Sequence, residues 1–298
     1  MNPWLVLFFA LLAISTSGPL VRASFADPLA IAVYRLGFSL IVVAIALAIT
    51  GSWRELRRIR PRELLIASGA GAMLALHFWS WNASIHLTTV AASVVLVNMH
   101  PPFVALLSAL WLHEKPRARQ WAGIAIAMLG AAIVAASDAG GRVAGGGSSR
   151  ALLGDGLALV GAVTVALYFV AGRRLRGSYS LWPYVAVVYG AAFVVLVAIA
   201  AVRSVPLTGY PPRELIIFAA LAAGPMLIGH TGMNYALRYL PAYIVNLTVL
   251  GEPVGATIIA FLVPSIREVP GVGTIIGGVT TLVGIGGAAL GGRKANKG

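Results

Sequence analysis

Ten long apolar stretches, separated by short polar or charged segments, limit what this chain of 298 residues can fold into. A helix that rises about 1.5 Å per residue needs about 20 residues to cross ~30 Å of hydrocarbon. The stretches have about that length, and they lack the strict alternation of apolar and polar residues that the strands of a membrane barrel show. They lie approximately at residues 3–21, 30–49, 64–85, 90–112, 120–137, 154–171, 182–202, 215–236, 242–263 and 272–291.

The composition agrees with a membrane protein and argues against a soluble enzyme. Of all residues, 59% are hydrophobic and 10% are charged, whereas a soluble domain has about a quarter of its residues charged. The first stretch lacks the basic segment of a signal peptide, so we expect it to remain as a helix. The sequence therefore predicts an all-α integral membrane protein with ten transmembrane helices.

Basic residues indicate how these helices are oriented. Lys and Arg number 22 against 9 Asp and Glu, a net charge of +13, and cytoplasmic loops collect Lys and Arg. An N-terminus in the cytoplasm places fifteen basic residues inside and six outside, with Arg35 within a span. This predicts both termini in the cytoplasm, and it accounts for the charge without a nucleic-acid partner.

The chain contains an internal repeat. A Gly/Ser-rich segment at 139–151 separates residues 1–138 from residues 152–298, with five predicted spans on each side. Eight residues recur in order at offsets between 152 and 155, which indicates a repeat. In the first half they are Pro28, Tyr34, Asn82, Pro101, Glu114, Pro116, Gly123 and Gly130, and in the second half Pro183, Tyr189, Asn234, Pro253, Glu268, Pro270, Gly277 and Gly284.

Five spans per repeat require the second repeat to be inverted, because it starts on the opposite side of the membrane. Inverted repeats are typical of secondary transporters, in which two halves move around a site at the midplane and open it to each side in turn. The chain has no G-x-x-x-x-G-K-[ST] loop for a nucleotide and no cysteine for a disulfide or a thiol nucleophile. We therefore expect a gradient-driven transporter without a cofactor.

Three groups of residues resemble the signature of the EamA family in the drug/metabolite transporter superfamily. They are Pro101 to Glu114 with Gly123 and Gly130, Tyr34-Arg35, and Gly154-Asp155-Gly156. The resemblance covers essentially the whole chain. It implies ten helices in two inverted repeats and a metabolite exporter of the bacterial inner membrane. Within the superfamily, the chain is most similar to the aromatic-amino-acid exporters.

Two features depart from the pattern of that family. Pro253 and Glu268 are 15 residues apart, against 13 for Pro101 and Glu114, so the ninth span carries an insertion around Pro264. The first span has no acidic residue, unlike the small multidrug members of the superfamily. This difference weakens the carry-over of their proton or cation antiport to this chain.

Polar side chains at membrane depth are costly and mark a pathway or a packed network. They are concentrated in spans three, four, eight and nine, where two half-sites would face each other across one cavity. We predict a substrate site with hydrogen-bonding and aromatic groups, and Trp81 rather than Trp79 faces it because Trp81 shares a helix face with His77. The predicted substrate-binding residues are His77, Trp81, Asn82, Asn98, Tyr168, His230, Asn234 and Asn246.

Three further residues are predicted to couple or gate transport. Glu252 is the one acid near the middle of a span, and the repeat places His100 at the equivalent position. We expect these two to lie close together and to carry or gate a proton; alternatively, Glu252 is protonated and bonds a carbonyl that Pro253 leaves free. Arg35 either extends to the membrane interface or meets an anion such as a substrate carboxylate.

Prolines and histidines at the same depth allow two more predictions. Pro101 and Pro253 each remove a helix hydrogen bond, so we expect bends that serve as hinges. The histidines at positions 77, 100 and 230 do not predict a metal, because structural sites need four closely spaced ligands.

The sequence leaves several functions open. The leading interpretation is a secondary transporter that exports small metabolites, with amino acids as the expected class. A passive channel, or a multidrug exporter with a broad substrate range, would use the same cavity. An intramembrane enzyme would need a paired acid or a nucleophile with a base, which only His100 with Glu252 approaches. Besides the lipid bilayer, the expected partners are a small-molecule substrate and, as one alternative, protons.

Overall fold

A computed structural model describes residues 1–88, 90–138, 148–252, 254–255 and 272–293. Within these ranges the chain forms helices and no strand. We number the helices α1 to α10 in chain order. They are α1 (Pro3–Ser15 and Ser17–Ala23), α2 (Pro28–Thr50), α3 (Pro61–Leu87), α4 (Val90–Val97 and His100–Leu107, continued by Ser108–Leu112), α5 (Ala118–Asp138), α6 (Ser148–Arg176), α7 (Leu181–Val202), α8 (Pro212–Leu221, Ala222–His230 and Thr231–Ala236), α9 (Ala242–Leu247 and Thr248–Gly251) and α10 (Val272–Arg293).

Six of these helices, α1, α2, α3, α6, α7 and α8, are long and apolar enough to cross a membrane. Helices α4, α5, α9 and α10 lie at the other four predicted spans, and the apolar helices His100–Leu112 and Ile275–Ala288 among them are shorter. The all-helical membrane architecture is thus confirmed, while the count of ten transmembrane helices stays a prediction. Of the predicted linker 139–151, residues 139–147 lie outside the described residues, and α6 already begins at Ser148.

Local sequence signals start and end the long helices. The side chain of Asp27 accepts a hydrogen bond from the amide of Leu29 at 2.8 Å, and Pro28 occupies the first turn of α2. At the other end, Gly51 adopts a left-handed conformation with φ of 64°. A capping Asp, a proline in the first turn and a left-handed glycine after the last turn are each favoured at these positions.

Three helices are broken or widened close to a proline, which has no backbone N–H to donate. Helix α1 breaks at Thr16, three residues before Pro19, and α4 breaks just before His100, with Pro101 in the first turn of its second part. In α8, Pro225 lies in a π-helical section, Ala222–His230. Each proline deprives the residue four positions earlier of its amide donor, which favours a break or a wider turn.

The π-helical section of α8 also accounts for a shift in the repeat. Pro61-Arg62-Glu63 at the start of α3 recurs as Pro212-Arg213-Glu214 at the start of α8, an offset of 151. Further along, Asn82 recurs as Asn234 at an offset of 152. A π-helical turn holds an extra residue without breaking the helix. We infer that α8 gained one residue relative to α3 and absorbed it between these two points.

The same helix contacts recur in both halves of the chain. Helices α1 to α5 correspond to α6 to α10 in the repeat, so each contact can be compared with that of the corresponding helices. Helix α1 packs on α8 as α3 packs on α6, and α2 packs on α8 as α3 packs on α7. The pairs α2 with α7, α4 with α9 and α5 with α10 are each made of two counterparts. Such a pattern is what a pseudo-two-fold axis between two halves produces.

Glycines bring the backbones of α5 and α10 into contact. A Cβ added to Gly123 would lie 2.8 Å from the carbonyl oxygen of Gly284, and one added to Gly130 would lie 2.6 Å from that of Gly277. Small residues at such spacing let membrane helices approach closely, because no side chain keeps them apart. These glycines therefore allow the close contact between α5 and α10.

Large apolar side chains on the outer helix faces remain exposed, and in a membrane they face lipid. Examples on three helices are Ile41, Ile45 and Ile49 of α2, Leu129 of α5 and Val283 of α10.

Candidate functional site

A cavity lies where helices of both halves meet, and most of the side chains that line it are buried. Helices α1 to α4 contribute eight of its lining residues, and α6, α8 and α9 contribute six. The lining residues are Ile14, Ser17, Arg35, His77, Trp81, Val97, Asn98, His100, Val165, Phe169, His230, Met233, Val249 and Glu252. The cavity therefore combines polar groups with aromatic and aliphatic surface.

Seven of the predicted site residues line this cavity. From the predicted substrate-binding set they are His77, Trp81, Asn98 and His230, and from the predicted coupling set Arg35, His100 and Glu252. The remaining four, Asn82, Tyr168, Asn234 and Asn246, do not line it. Pro101 lies in the first turn after the break in α4, whereas the predicted hinge Pro253 lies outside the described residues.

Arg35 of α2 points into the cavity and is 1% exposed. Its guanidinium lies 4.2 Å from the centre of the Phe78 ring, and its Nη1 donates to Ser17 Oγ at 3.4 Å. Within the described residues, Nε of Arg35 has no hydrogen-bond partner. Of the two alternatives for Arg35, the structure thus shows an inward position rather than extension to the interface.

Glu252, at the end of the described part of α9, faces the same cavity and is 5% exposed. Its Oε2 accepts a hydrogen bond from Asn98 Nδ2 at 3.3 Å. The backbone carbonyl of Glu252 accepts one from Ser15 Oγ at 3.2 Å, which ties α9 to α1. Among the described residues, the ion pairs are Arg173 with Glu114 and Arg213 with Glu214, so Glu252 pairs with neither Arg35 nor His100 there.

His100 forms a local bond that the repeat alignment did not suggest. Its Nδ1 lies 2.9 Å from the carbonyl oxygen of Val97. A carbonyl only accepts, so Nδ1 carries the hydrogen and Nε2 is left as the acceptor of the neutral ring. Nε2 has no partner among the residues described. His77 is arranged similarly, with Nδ1 2.9 Å from the carbonyl of Gly161 on α6.

Flat rings form much of the cavity wall. The rings of His77 and Trp81 are nearly parallel with centroids 6.3 Å apart, and those of Phe169 and His230 are nearly parallel at 6.1 Å. His77 and His230 meet edge to face at 6.1 Å, which joins the two pairs across the halves. These faces suit an apolar or aromatic group of a ligand.

The four predicted residues outside the lining bond to the protein instead. Asn82 donates to the carbonyl of Pro28 at 3.1 Å and joins α3 to the start of α2. Asn234 donates to the Tyr168 hydroxyl and to the carbonyl of His230. Asn246 donates to the carbonyl of Ala242 at 2.8 Å. The bonds of Asn82 to Pro28 and of Asn234 to Tyr168 join helices, whereas the bond of Asn246 lies within α9.

Sequence analysis did not identify Phe169, Met233 or Ser17 as cavity residues. Phe169 and Met233 are apolar residues in apolar helices, so no pattern distinguishes them from core or lipid contacts. Ser17 carried a weak signal, because it follows the break in α1 that Pro19 predicts.

Comparisons with known proteins agree with a membrane transporter. The EamA-like transporter family matches this chain over residues 2–136 and 152–290. A probable terminal-alkyne amino-acid exporter of Streptantibioticus cattleyicolor is 27% identical over 251 residues, which cover 83% of this chain and 80% of that protein. An uncharacterised transporter of Archaeoglobus fulgidus is 26% identical over 184 residues, 60% of each chain.

Two more comparisons extend this picture. An uncharacterised transporter of Bacillus subtilis is 27% identical over 201 residues, 66% of this chain and 62% of that one. A solved crystal structure matches 99% of both chains with a TM-score of 0.80 and 20% identity, which shows a shared fold.

Proposed function

The chain belongs to the EamA-like transporter family, and from this premise we propose that it exports amino acids from the cytoplasm across a bacterial inner membrane. As a member of that family with six apolar helices of spanning length among its described residues, it is a multi-pass membrane transporter and not an enzyme. The substrate class and the direction of transport are the proposal.

The observation that carries the proposal is the buried cavity between the halves. It places His77 and Asn98 of the first half opposite His230 and Glu252 of the second, all in apolar surroundings. Polar groups at such depth are expensive unless they line a pathway or satisfy each other. A central polar cavity that both halves build is what a substrate site of an alternating-access transporter requires.

Mirrored helix packing supports the mechanism. The contacts of α1 with α8 and of α3 with α6 are counterparts under the exchange of the two halves. We take residues 1–138 and 152–298 as two inverted repeats of five transmembrane helices, with both termini in the cytoplasm. The halves would rock around the cavity, with Pro101 and Pro253 as hinges.

The chemistry of the cavity supports amino acids as substrates. Hydrogen-bonding groups and two charged side chains lie next to ring surfaces, which suits a small polar molecule with an apolar side chain. The related protein of Streptantibioticus cattleyicolor is a probable terminal-alkyne amino-acid exporter. Glu252 with His100 remains our candidate for coupling to a proton gradient.

Transport by purified protein in liposomes tests the proposal. We expect saturable counterflow of at least one amino acid from a panel of the twenty common ones, with and without imposed pH and voltage gradients. A passive channel would give flux without counterflow. Counterflow of structurally unrelated cations in place of amino acids would favour a multidrug exporter and would contradict the proposal.

A further inference from the structure

Arg35 and Glu252 are a basic and an acidic side chain that face one cavity, and they form no ion pair with each other among the described residues. We infer that the cavity recognises an α-amino acid by both of its charges, with the substrate carboxylate on Arg35 and the substrate ammonium on Glu252 and Asn98. This inference rests on the proposed function and deepens it, because it assigns an orientation to the substrate.

Neighbouring side chains position the guanidinium of Arg35, but they do not use all of its hydrogen-bond donors. Phe78 and Ser17 contact it, and both leave its Nε without a hydrogen-bond partner among the described residues. An arginine presents five N–H donors in a planar fork that matches a carboxylate with two parallel bonds. A buried guanidinium with an unused donor is therefore ready to receive an anionic group.

Glu252 presents the complementary group from the other half. Its carboxylate accepts a bond from Asn98, whose helix is broken at that residue, and Ser15 fixes its backbone. A carboxylate has capacity for about four hydrogen bonds, so further donors fit. The three N–H bonds of an ammonium group can reach the carboxylate and the side-chain oxygen of Asn98 together.

Arg35 and Glu252 are positioned by different neighbours. Ser17 of α1 and Phe78 of α3 contact Arg35, whereas Asn98 of α4 and the backbone bond from Ser15 of α1 position Glu252. Two unpaired charges in apolar surroundings cost more than a direct pair. A zwitterion between them satisfies both charges and adds no net charge, which neither an amine nor an acid can do.

Competition by analogues that lack one charge tests this assignment. The labelled probe is the amino acid with the highest counterflow, and the competitors are its decarboxylated amine and its deaminated acid; for L-phenylalanine these are 2-phenylethylamine and 3-phenylpropanoate. In the unchanged protein we expect each competitor to bind at least about tenfold more weakly than the amino acid, since each leaves a buried charge unpaired.

Substitution of Arg35 should remove only the preference for a carboxylate, and substitution of Glu252 only the preference for an ammonium group. In Arg35→Gln the amine should compete as well as the amino acid, and in Glu252→Gln the acid should do so. Arg35→Lys keeps the positive charge and should keep the preference for a carboxylate. Thr164→Val, which changes a buried hydroxyl outside the cavity, serves as the control.

The result that overturns the inference is distinct from failure of the proposed function. If amino acids are exchanged but both charge substitutions weaken all three ligands by one common factor, the orientation is wrong and the function stands. If no amino acid shows counterflow, the function is wrong and the orientation falls with it.

A second inference comes from an independent observation, a hydrogen-bond motif repeated at the two ends of the helix bundle. At one end, Arg22 donates to the carbonyl of Ile85 at 2.6 Å, and Ser24 donates to Glu214. These contacts join the end of α1 to the end of α3 and the start of α8. We call them the Glu214 latch.

The second set joins the counterpart elements at the opposite end of α3. Arg176 Nε donates to the carbonyl of Asn234 at 2.9 Å, and Tyr179 donates to Glu63. Its bond to Glu63 raises the pKa of the Tyr179 hydroxyl, so this donor keeps its proton. These contacts join the end of α6 to the end of α8 and the start of α3, and we call them the Glu63 latch.

Sequence offsets relate three of the four residue pairs of the latches. Arg22 and Arg176 are 154 positions apart, Ser24 and Tyr179 are 155 apart, and Glu63 and Glu214 are 151 apart, close to the offsets of the repeat. The acceptor carbonyls of Ile85 and Asn234 are 149 apart, which is about one helical turn out of register. The hydrogen bonds of both latches are formed in this structure. We propose that each one closes one entrance of the cavity, and that they open in turn.

The absence of cysteine from the chain makes a direct test possible. Met233→Cys, with Val249→Cys as a second position, places one thiol in the cavity wall. A membrane-impermeant maleimide is applied to right-side-out and to inside-out vesicles that carry the full chain. We expect Glu214→Gln to raise labelling about tenfold from one side only, and Glu63→Gln to do so from the other side only.

Glu114→Gln is the matched control, because Glu114 pairs with Arg173 and belongs to neither latch. It should leave labelling from both sides unchanged. Increased labelling from the same side in both latch variants, or no increase in either, overturns the proposal.

Discussion

His100 donates a hydrogen bond from its side chain to the carbonyl of Val97, at the position where Pro101 has no amide hydrogen to offer. In an unbroken helix, the residue at position 101 would donate to that carbonyl. The imidazole thus replaces the missing donor, and this fixes the hydrogen on Nδ1. The break in α4 and the side chain beside it form one unit.

This relationship predicts the stability of variants at the break. His100→Phe should lower the free energy of unfolding by about 1–3 kcal/mol, because it leaves a buried carbonyl without a donor. In a Pro101→Ala background the same change should cost less, since alanine restores the amide hydrogen. Thermal unfolding in detergent, measured for both single variants and the double variant, gives the comparison. Equal costs in the two backgrounds would show that the imidazole does not replace the amide.

Glu252 is the residue through which we expect a pH gradient to act. Its side chain faces the cavity, and glutamine at that position keeps the size but cannot bind and release a proton. We predict that the Glu252→Gln variant still shows counterflow of a substrate analogue that it binds. Its rate of transport should no longer respond to an imposed pH gradient. Measurement in liposomes with the gradient reversed provides the control. An unchanged gradient dependence would exclude Glu252 as the coupling residue.

The two neighbouring tryptophans of α3 should differ in their effect on substrate affinity. Trp81 lines the cavity beside His77, whereas Trp79 packs outside it. We predict that Trp81→Ala raises the KM for aromatic amino acids about tenfold through loss of a ring contact. Trp79→Ala is the matched control, with the same change of side chain two residues away. Equal changes in KM would mean that neither ring meets the substrate.

Contact between α5 and α10 should be sensitive to one added methyl group. An alanine at position 130 would place its Cβ 2.4 Å from the backbone nitrogen of Thr281. We expect Gly130→Ala to lower stability by about 1–3 kcal/mol because the helices must separate. Gly286→Ala, where nothing lies within 4 Å, should be neutral or slightly stabilising. Thermal unfolding of both variants measures the change in stability. Similar changes for the two variants would contradict a close contact at Gly130.

Apolar stretches and proline positions predicted most of the helical organisation. A spanning helix needs about 20 mostly apolar residues in a row, and a proline acts on the backbone of its own helix. The break in α4 follows directly from Pro101, and the break in α1 follows from Pro19. Pro225 lies in the π-helical section of α8, but a proline alone does not distinguish a break in a helix from a wider turn. Only the comparison of the offsets at Glu214 and Asn234 shows where its extra residue lies.

The candidate site was harder to predict, because polarity at membrane depth does not distinguish a cavity wall from a packed network. Asn234 and Tyr168 are polar residues within predicted spans, as Asn98 is, yet their side chains bond to each other. Phe169 gave no signal at all, since an apolar residue in an apolar helix is equally suited to core, lipid or ligand. Only the packing of α6 against α4 and α8 separates these cases.

Glycine contacts between α5 and α10 limit how the two halves can diverge. Gly123 meets Gly284 and Gly130 meets Gly277, so each position touches the repeat counterpart of the other. A larger residue on one side needs compensation on the other, and among related sequences these positions should vary jointly. Arg35 has no such restraint, since its counterpart is Gly190, with nothing within 4 Å of an added Cβ. Substrate recognition is thus free to become asymmetric, while the α5–α10 contact keeps the two copies matched.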